Sequence, residues 1–316
     1  MKSQREHKVS NVRTIATTLA VAGLFACGTA SAVQRVFVSS VGNDANTANN
    51  CTFTNPCRGF TAAMSVVDDG GEVVALDAAG YGVVTITKGV TIVANPGFYA
   101  GITAGAGNAI TVNAPGKNVL LRGLNINGIG GAVGVNLTAA NSLTIDGCVI
   151  ANFTGSAVLV NSAGASVKIS NTVLSSNGGD GLKVNQGKVD VVGSRANGNV
   201  RGGFTVETLG GGNTATLTLT DSTASGNAHG FYASANAAAS TVQIALTRVA
   251  GTTNTTNGLF VEQISGSATG IVGNSIFTEN VNGLNNGGGT LRSLGNNVVD
   301  FNTNNTTGTI TALGGQ

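Results

Sequence analysis

Four segments, LTIDGCVIANFTGSAVLV (residues 143–160), VKISNTVLSSNGGDGLKV (167–184), VDVVGSRANGNVRGGFTV (189–206) and LTLTDSTASGNAHGFYA (217–233), can be laid one under another. Each reads apolar-x-apolar, a two-residue turn, a short strand, an Asn, a Gly-bearing turn and a second apolar-x-apolar. The period of roughly 22 to 28 residues is that of a solenoid, in which each repeat is one coil that cannot bury its own apolar face. The turn pairs Asp146-Gly147, Asn171-Thr172, Gly193-Ser194, Asp221-Ser222, Asn274-Ser275 and Asn296-Asn297 are each followed, six residues after their first member, by Asn152, Asn177, Asn199, Asn227, Asn280 and Asn302. Coils stacked about 4.8 Å apart let each Asn amide donate to one neighbour and accept from the other, so these six are predicted to form a structural ladder. The coil from Val242 lacks the offset and is expected to carry a distorted turn.

A second file runs Leu182, Phe204, Phe231, Leu259, Leu284, with Val184, Val206, Ala233 and Val261 two residues on. Strand alternation turns these inward and leaves Lys183, Thr205, Tyr232 and Phe260 outward. Composition agrees: 48 Gly, 3 Pro, no Trp and 9% charged residues suit tight polar turns between short β-branched strands, not a helical bundle. The fold class is therefore all-β, a right-handed parallel β-helix solenoid. A cap must protect its first edge, and residues 56–67, PCRGFTAAMSVV, space Phe60, Ala63, Met64 and Val67 for a short N-terminal capping helix that Asp68-Asp69-Gly70-Gly71 ends.

Ahead of the cap, Lys2, Arg5, Lys8 and Arg13 precede the apolar residues 15–27 and the small-residue site Ala30-Ser31-Ala32. This is the pattern of a signal peptide cleaved near Ala32. The domain reading is signal peptide over 1–32, N-terminal cap region over 33–72 and β-helix over 73–316, with a secreted, periplasmic or cell-surface destination. Leu24-Phe25-Ala26-Cys27 also resembles a lipobox, which leaves lipidation at Cys27 as the competing export route. No other apolar stretch is long enough to span a bilayer. Without the leader, twelve Lys and Arg stand against thirteen Asp and Glu, a net charge of −1. Scattered basic residues without interleaved aromatics argue against nucleic acid as a partner. Cys51 and Cys57 bracket a Pro-containing loop and are expected to form a disulfide in an oxidising compartment. A metal site would need more ligands than these cysteines and one histidine supply, so neither metal nor cofactor is expected. Cys148 is left over, packed or free. Nothing in the repeat pattern specifies an oligomeric state.

VFVSSVGND near the start, CTFTNPCRGFTAA, YGVVTITKGVTIVAN and the Asn-bearing coils resemble the secreted right-handed parallel β-helix proteins of the pectate-lyase-like superfamily. The resemblance covers nearly all of the chain after the leader and implies extracellular polysaccharide as the default partner. Polygalacturonases of that superfamily carry carboxylates and a His-Gly just before the apolar-x-apolar strand, where this chain has Asp180-Gly181 and His229-Gly230. Their paired Asp and Arg-x-Lys element are absent, and the intervening coil offers Arg201-Gly202-Gly203 in place of a second acid. Hydrolysis needs two carboxylates flanking one bond; a lyase needs a carboxylate cation site and a base, and no such cluster is evident. Asp180, Arg201 and His229 are the catalytic candidates, against the plainer role of polar turn residues that use the left-handed conformations open to Asp-Gly and His-Gly. Asp146 and Asp221 read as turn caps, and the directions of Glu207, Glu262 and Glu279 are open. Lys183, Tyr232 and Phe260 are the substrate-binding candidates, the two aromatic faces offering stacking for sugar rings or only surface packing. Three functions follow: a non-catalytic exported β-helix engaging polysaccharide or another surface component, a polysaccharide lyase or glycoside hydrolase with a shallow groove, and a structural or adhesive surface solenoid.

Overall fold

The computed structural model describes residues 34–314, so the leader, its cleavage site and Cys27 lie outside the described residues. The chain winds as a right-handed parallel β-helix, with every strand pairing parallel to its counterpart one coil away. Three ribbons result. The first runs from Arg35–Val38 and Gly71–Ala75 to Ile310–Ala312, the second from Val84–Ile86 to Asn304–Thr307, and the third holds ten strands, from Ala79–Gly80 to Val298–Asp300. Asn108–Arg122, Val133–Asp146, Val158–Ser170 and Leu182–Val192 bend from the second ribbon into the first without a break, joining the two into one 18-stranded sheet.

Alternation along the second ribbon fills the core. Leu182, Phe204, Phe231, Leu259 and Leu284 are buried in line, as are Val184, Val206, Ala233 and Val261. Phe204 and Phe231 stack at 5.8 Å between ring centroids. Burying each large side chain contributes roughly 1.5–3 kcal/mol, and only the neighbouring coils supply the cover.

At the turn between the third and second ribbons the Asn side chains point inward. Asn177 Nδ2 donates to Asn199 Oδ1 at 2.8 Å, Asn199 to Asn227 at 2.9 Å, and Asn280 to Asn302 at 2.9 Å. The same Oδ1 atoms accept the backbone N–H of the preceding rung, as in Asn177 N to Asn199 Oδ1 at 3.1 Å. The remaining amide hydrogen reaches a backbone carbonyl, Ala196 O for Asn227. Two assignments from the sequence are corrected. Asn152 is exposed and outside the file; Phe153 pairs in its place, its N–H on Asn177 Oδ1. The cause is register. Val149 stands opposite Val173, which aligns Asn171 with Gly147, the residue at φ 62°, and not with Asp146. The coil from Val242 is not distorted either: Arg248 takes the left-handed turn position at φ 51° and Asn254, six residues on, joins Asn227 to Asn280.

The glycines after Asp180 and His229 serve closeness, not handedness. Neither Gly181 nor Gly230 has a positive φ, but a Cβ at Gly181 would meet Gly203 O at 2.6 Å and Asn199 Nδ2 at 3.0 Å. Gly203, Gly230, Gly258 and Gly283 repeat the constraint, each against the next rung's backbone and ladder amide.

The capping helix is Phe60–Val66, with Phe60, Ala63 and Met64 buried. It starts after residues 56–59 because Asp44 Oδ1 accepts the N–H groups of Arg58 and Gly59 and holds them outside the helix. Cys51 and Cys57 are disulfide-bonded, and their loop lies along the first strand: Phe37 N donates to Cys51 O and Ser39 N to Cys57 O. Backbone groups of that edge are thereby satisfied. Within the N-terminal region, Arg35–Val38 pairs parallel with Gly71–Ala75. At the other end, Asn304–Thr307 is exposed at every residue, beside an open hollow of about 370 Å³ lined by Leu284, Val299, Thr306 and Ile310 among others.

Candidate functional site

The outer face of the second ribbon gathers most of the sequence candidates. Register places Gly202 beside His229 and His229 beside Asn257, Lys183 beside Thr205, Tyr232 and Phe260, and Glu207 beside Ser234 and Glu262. Three files of side chains thus point away from the core across four coils.

The carboxylates among them are already engaged. Asp180 is buried, its Oδ1 accepting from Gly202 N at 2.9 Å and from the Thr205 hydroxyl at 2.6 Å. Its Oδ2 has no hydrogen bond but lies 3.5 Å from the Arg201 guanidinium. Glu207 Oε2 takes Lys183 Nζ at 2.7 Å and Arg201 at 3.4 Å, while Oε1 accepts from Asn236 at 2.8 Å. Burial would raise the Glu207 pKa, but the hydrogen bond and charge of Lys183, with those of Arg201, outweigh it and hold the carboxyl below its ordinary range. Burial works against the Arg201 charge, and the two carboxylates beside it prevail, raising its pKa. The Arg201 side chain remains 47% exposed, whereas Lys183 and Glu207 show 13% and 7%.

Thr205 lies in the outward file, as the alternation requires, but is fully buried because Asp180 reaches over it. Tyr232 and Phe260 do lie on adjacent coils, but their rings stack on each other, 5.4 Å between centroids and 10° between planes. Phe260 packs its other side against Gly287, where a Cβ would come within 2.8 Å of the ring. The aromatic pair therefore offers ring edges, not the two open faces that the alternation suggested. His229 continues the stack onto Tyr232 at 5.0 Å. Burial lowers the His229 pKa, with Arg201 adding to the effect and Asp180 and Glu262 opposing it. The Tyr232 hydroxyl donates to Glu262 Oε2 at 2.5 Å, and the Ser234 hydroxyl donates to the same oxygen at 3.0 Å. Burial and that carboxylate raise the Tyr232 pKa.

Sequence reasoning missed Ser234, Asn236 and Asn257 as parts of this face. Asn257 was findable, since Asn257-Gly258 stands in the same column as Asp180-Gly181 and His229-Gly230. Asn236 was not, because it enters from a loop outside the repeat. Among the described residues, no three His, Cys, Asp or Glu side chains form a metal-ligating group. Asp146 and Asp221 lie at turns, each paired with an exposed Arg, Arg122 and Arg248. Glu279 has φ 60° in a turn away from the site. Cys148 is buried and unpaired.

No family model matches the sequence, and no curated protein does. Among solved structures, the crystal structure of pectate lyase Pel9A superposes with a TM-score of 0.59, covering 89% of this chain and 78% of that one at 15% identity. The two share the parallel β-helix architecture.

Proposed function

We propose that this chain is an exported, non-catalytic β-helix that engages a neutral polysaccharide through the second-ribbon face around Arg201, His229, Tyr232 and Glu262. One observation carries the reading: both oxygens of Glu207 are occupied by side chains of the protein, Oε2 by Lys183 and Arg201 and Oε1 by Asn236. A hydrolase needs a carboxyl poised to give up a proton near its working pH, and the neighbours of Glu207 push it the other way. A lyase needs a free base, whereas Lys183 is bound to Glu207 and the Arg201 charge is reinforced.

What remains available suits hydroxyl recognition. Among the described residues Glu262 accepts through Oε2 alone, the Arg201 guanidinium is half exposed, and the aromatic edges line the space between them. Asp180, Glu207 and Glu262 against Lys183 and Arg201 leave the face slightly acidic, which favours a neutral glycan over a polyuronate. The likeness to a pectate lyase supports polysaccharide at the level of fold only. Export is supported by the signal-like leader and by the Cys51–Cys57 disulfide, a feature of oxidising compartments. The lyase or hydrolase reading draws on Asp180 Oδ2, buried without a hydrogen-bond donor beside Arg201. A panel of neutral and uronate polysaccharides separates the two. Retention on a neutral polymer with no new unsaturated or reducing ends supports the binding function; cleavage that Asp180→Asn abolishes replaces it with the enzymatic one.

A further inference from the structure

A second file of asparagines runs along the outside of the second ribbon. Asn304 Nδ2 donates to Asn282 Oδ1 at 3.0 Å, Asn282 Nδ2 to Asn257 Oδ1 at 3.0 Å, and Asn285 Nδ2 to that same Oδ1 at 2.9 Å. Asn257 is buried, and its Nδ2 ends the file 2.8 Å from His229 Nδ1. The file has a direction. With two amide donors converging on its carbonyl, Asn257 can turn its oxygen toward His229 only if Asn282 and Asn285 also turn. Its NH₂ therefore faces the ring, and an imidazole nitrogen that accepts a hydrogen bond carries no proton.

We propose that Asn257, held by the amides of Asn282 and Asn285, positions His229 as the neutral tautomer protonated on Nε2, and that this N–H is the donor the site presents to a glycan oxygen. Among the described residues no acceptor is hydrogen-bonded to Nε2, and that atom is not among the buried unpaired ones. Gly202, the partner of His229 one rung earlier, places no side chain beside the ring; the Thr205 hydroxyl and Asp180 Oδ1 occupy the position its Cβ would take. The glycan part of this inference rests on the binding function above; the tautomer does not.

Protonation of Nδ1 would set an N–H against the Asn257 N–H. The groups that bear on the ring are Asp180 and Arg201 on the preceding rungs, Tyr232 on its own, and Phe260 and Glu262 on the next. The carboxylates favour the imidazolium, while Arg201, burial and the Asn257 amide oppose it.

The chain contains two histidines, His7 and His229, so ¹⁵N-histidine NMR of the full protein with His7→Gln as the assignment control reads His229 alone. At neutral pH a single tautomer is expected, protonated on Nε2. In Asn257→Asp, a carboxylate facing Nδ1 should place protons on both nitrogens and raise the titration midpoint by about one pH unit or more. In Asn257→Ala the two tautomers should mix. An Nδ1-protonated ring in the unmodified protein overturns the proposal even if no variant folds, as does an unchanged midpoint in a folded Asn257→Asp. Titrating in a neutral polysaccharide that the protein retains should shift the Nε2–H resonance. Retention without that shift removes the donor role, while lack of retention counts against the binding function and leaves the tautomer result standing.

Discussion

Asn227 Nδ2 lies 3.2 Å from Oδ1 of Asn254, on a coil whose turn begins with an arginine. The ladder thus continues through a rung that has none of the usual turn residues. From Asn177 to Asn280 each rung's Asn follows, by six residues, a backbone in the left-handed region, and Arg248 adopts that at some cost because both neighbouring coils hold the turn in place.

Asn227→Ala should strand the N–H and amide of Asn199 and the carbonyl of Ala196, which accepts from the Asn227 amide, and is expected to destabilise the protein by about 2–4 kcal/mol. Asn152→Gly, at a residue outside the file with φ 65°, should change stability by less than about 0.5 kcal/mol. Denaturant unfolding of both distinguishes a ladder from a mere abundance of asparagine; equal effects would contradict it.

Gly203→Ala brings a Cβ within 2.8 Å of Gly230 O and 3.0 Å of the Asn227 amide. The rungs must spread, and a loss of about 1–3 kcal/mol is expected. Gly105→Ala, with no atom near and no positive φ, serves as the comparison and should leave the thermal midpoint unmoved.

Much of this architecture could be read before any coordinates. The alternation of Leu182 and Val184, repeated at Phe204 and Val206, specifies which face is buried, because a slip of one residue would expose the whole file. The same arithmetic failed at Asp146-Gly147, since either residue can occupy the left-handed position and only the neighbouring strand pairing selects Gly147. The site was less legible. Its candidates were named, but whether Tyr232 and Phe260 offer faces or edges depends on side-chain rotamers and on the space that Gly287 leaves. The pairing of Glu207 with Lys183 rather than with Arg201 alone follows from register across two strands, which no local pattern displays.

Asp77 ties the first coil to the cap. It accepts from Ser40 N at 2.8 Å, from the Ser39 and Ser40 hydroxyls at 2.9 and 2.6 Å, and from the Tyr81 hydroxyl. Partial burial would raise its pKa, but these donors together lower it to about 2. The folded value lies below the unfolded one near 3.9, so the stabilisation is complete above about pH 5 and disappears as the pH falls toward 2. Asp77→Asn should cost about 1–2 kcal/mol at neutral pH and flatten the acid limb of the stability curve below pH 4. A pH series of unfolding midpoints checks both parts; an identical acid limb in the variant would exclude Asp77 as its source.

Among the described residues Cys148 has no disulfide partner, and burial pushes its thiol up to about 11. Alkylation at pH 8 followed by peptide mapping should leave it unmodified in the folded protein and modify it fully in denaturant. Rapid labelling in the native state would mean that the third ribbon opens near that turn.

In the inner file one hydrogen of every amide goes toward the C-terminus, Asn177 to Asn199 and onward to Asn302, whose own amide meets Asn305 only three residues away. Each coil's inward amide is thus completed by the coil after it, like a tooth seated in the next, and at Asn302 the receiving partner is Asn305, the same kind of side chain folded back from three residues on.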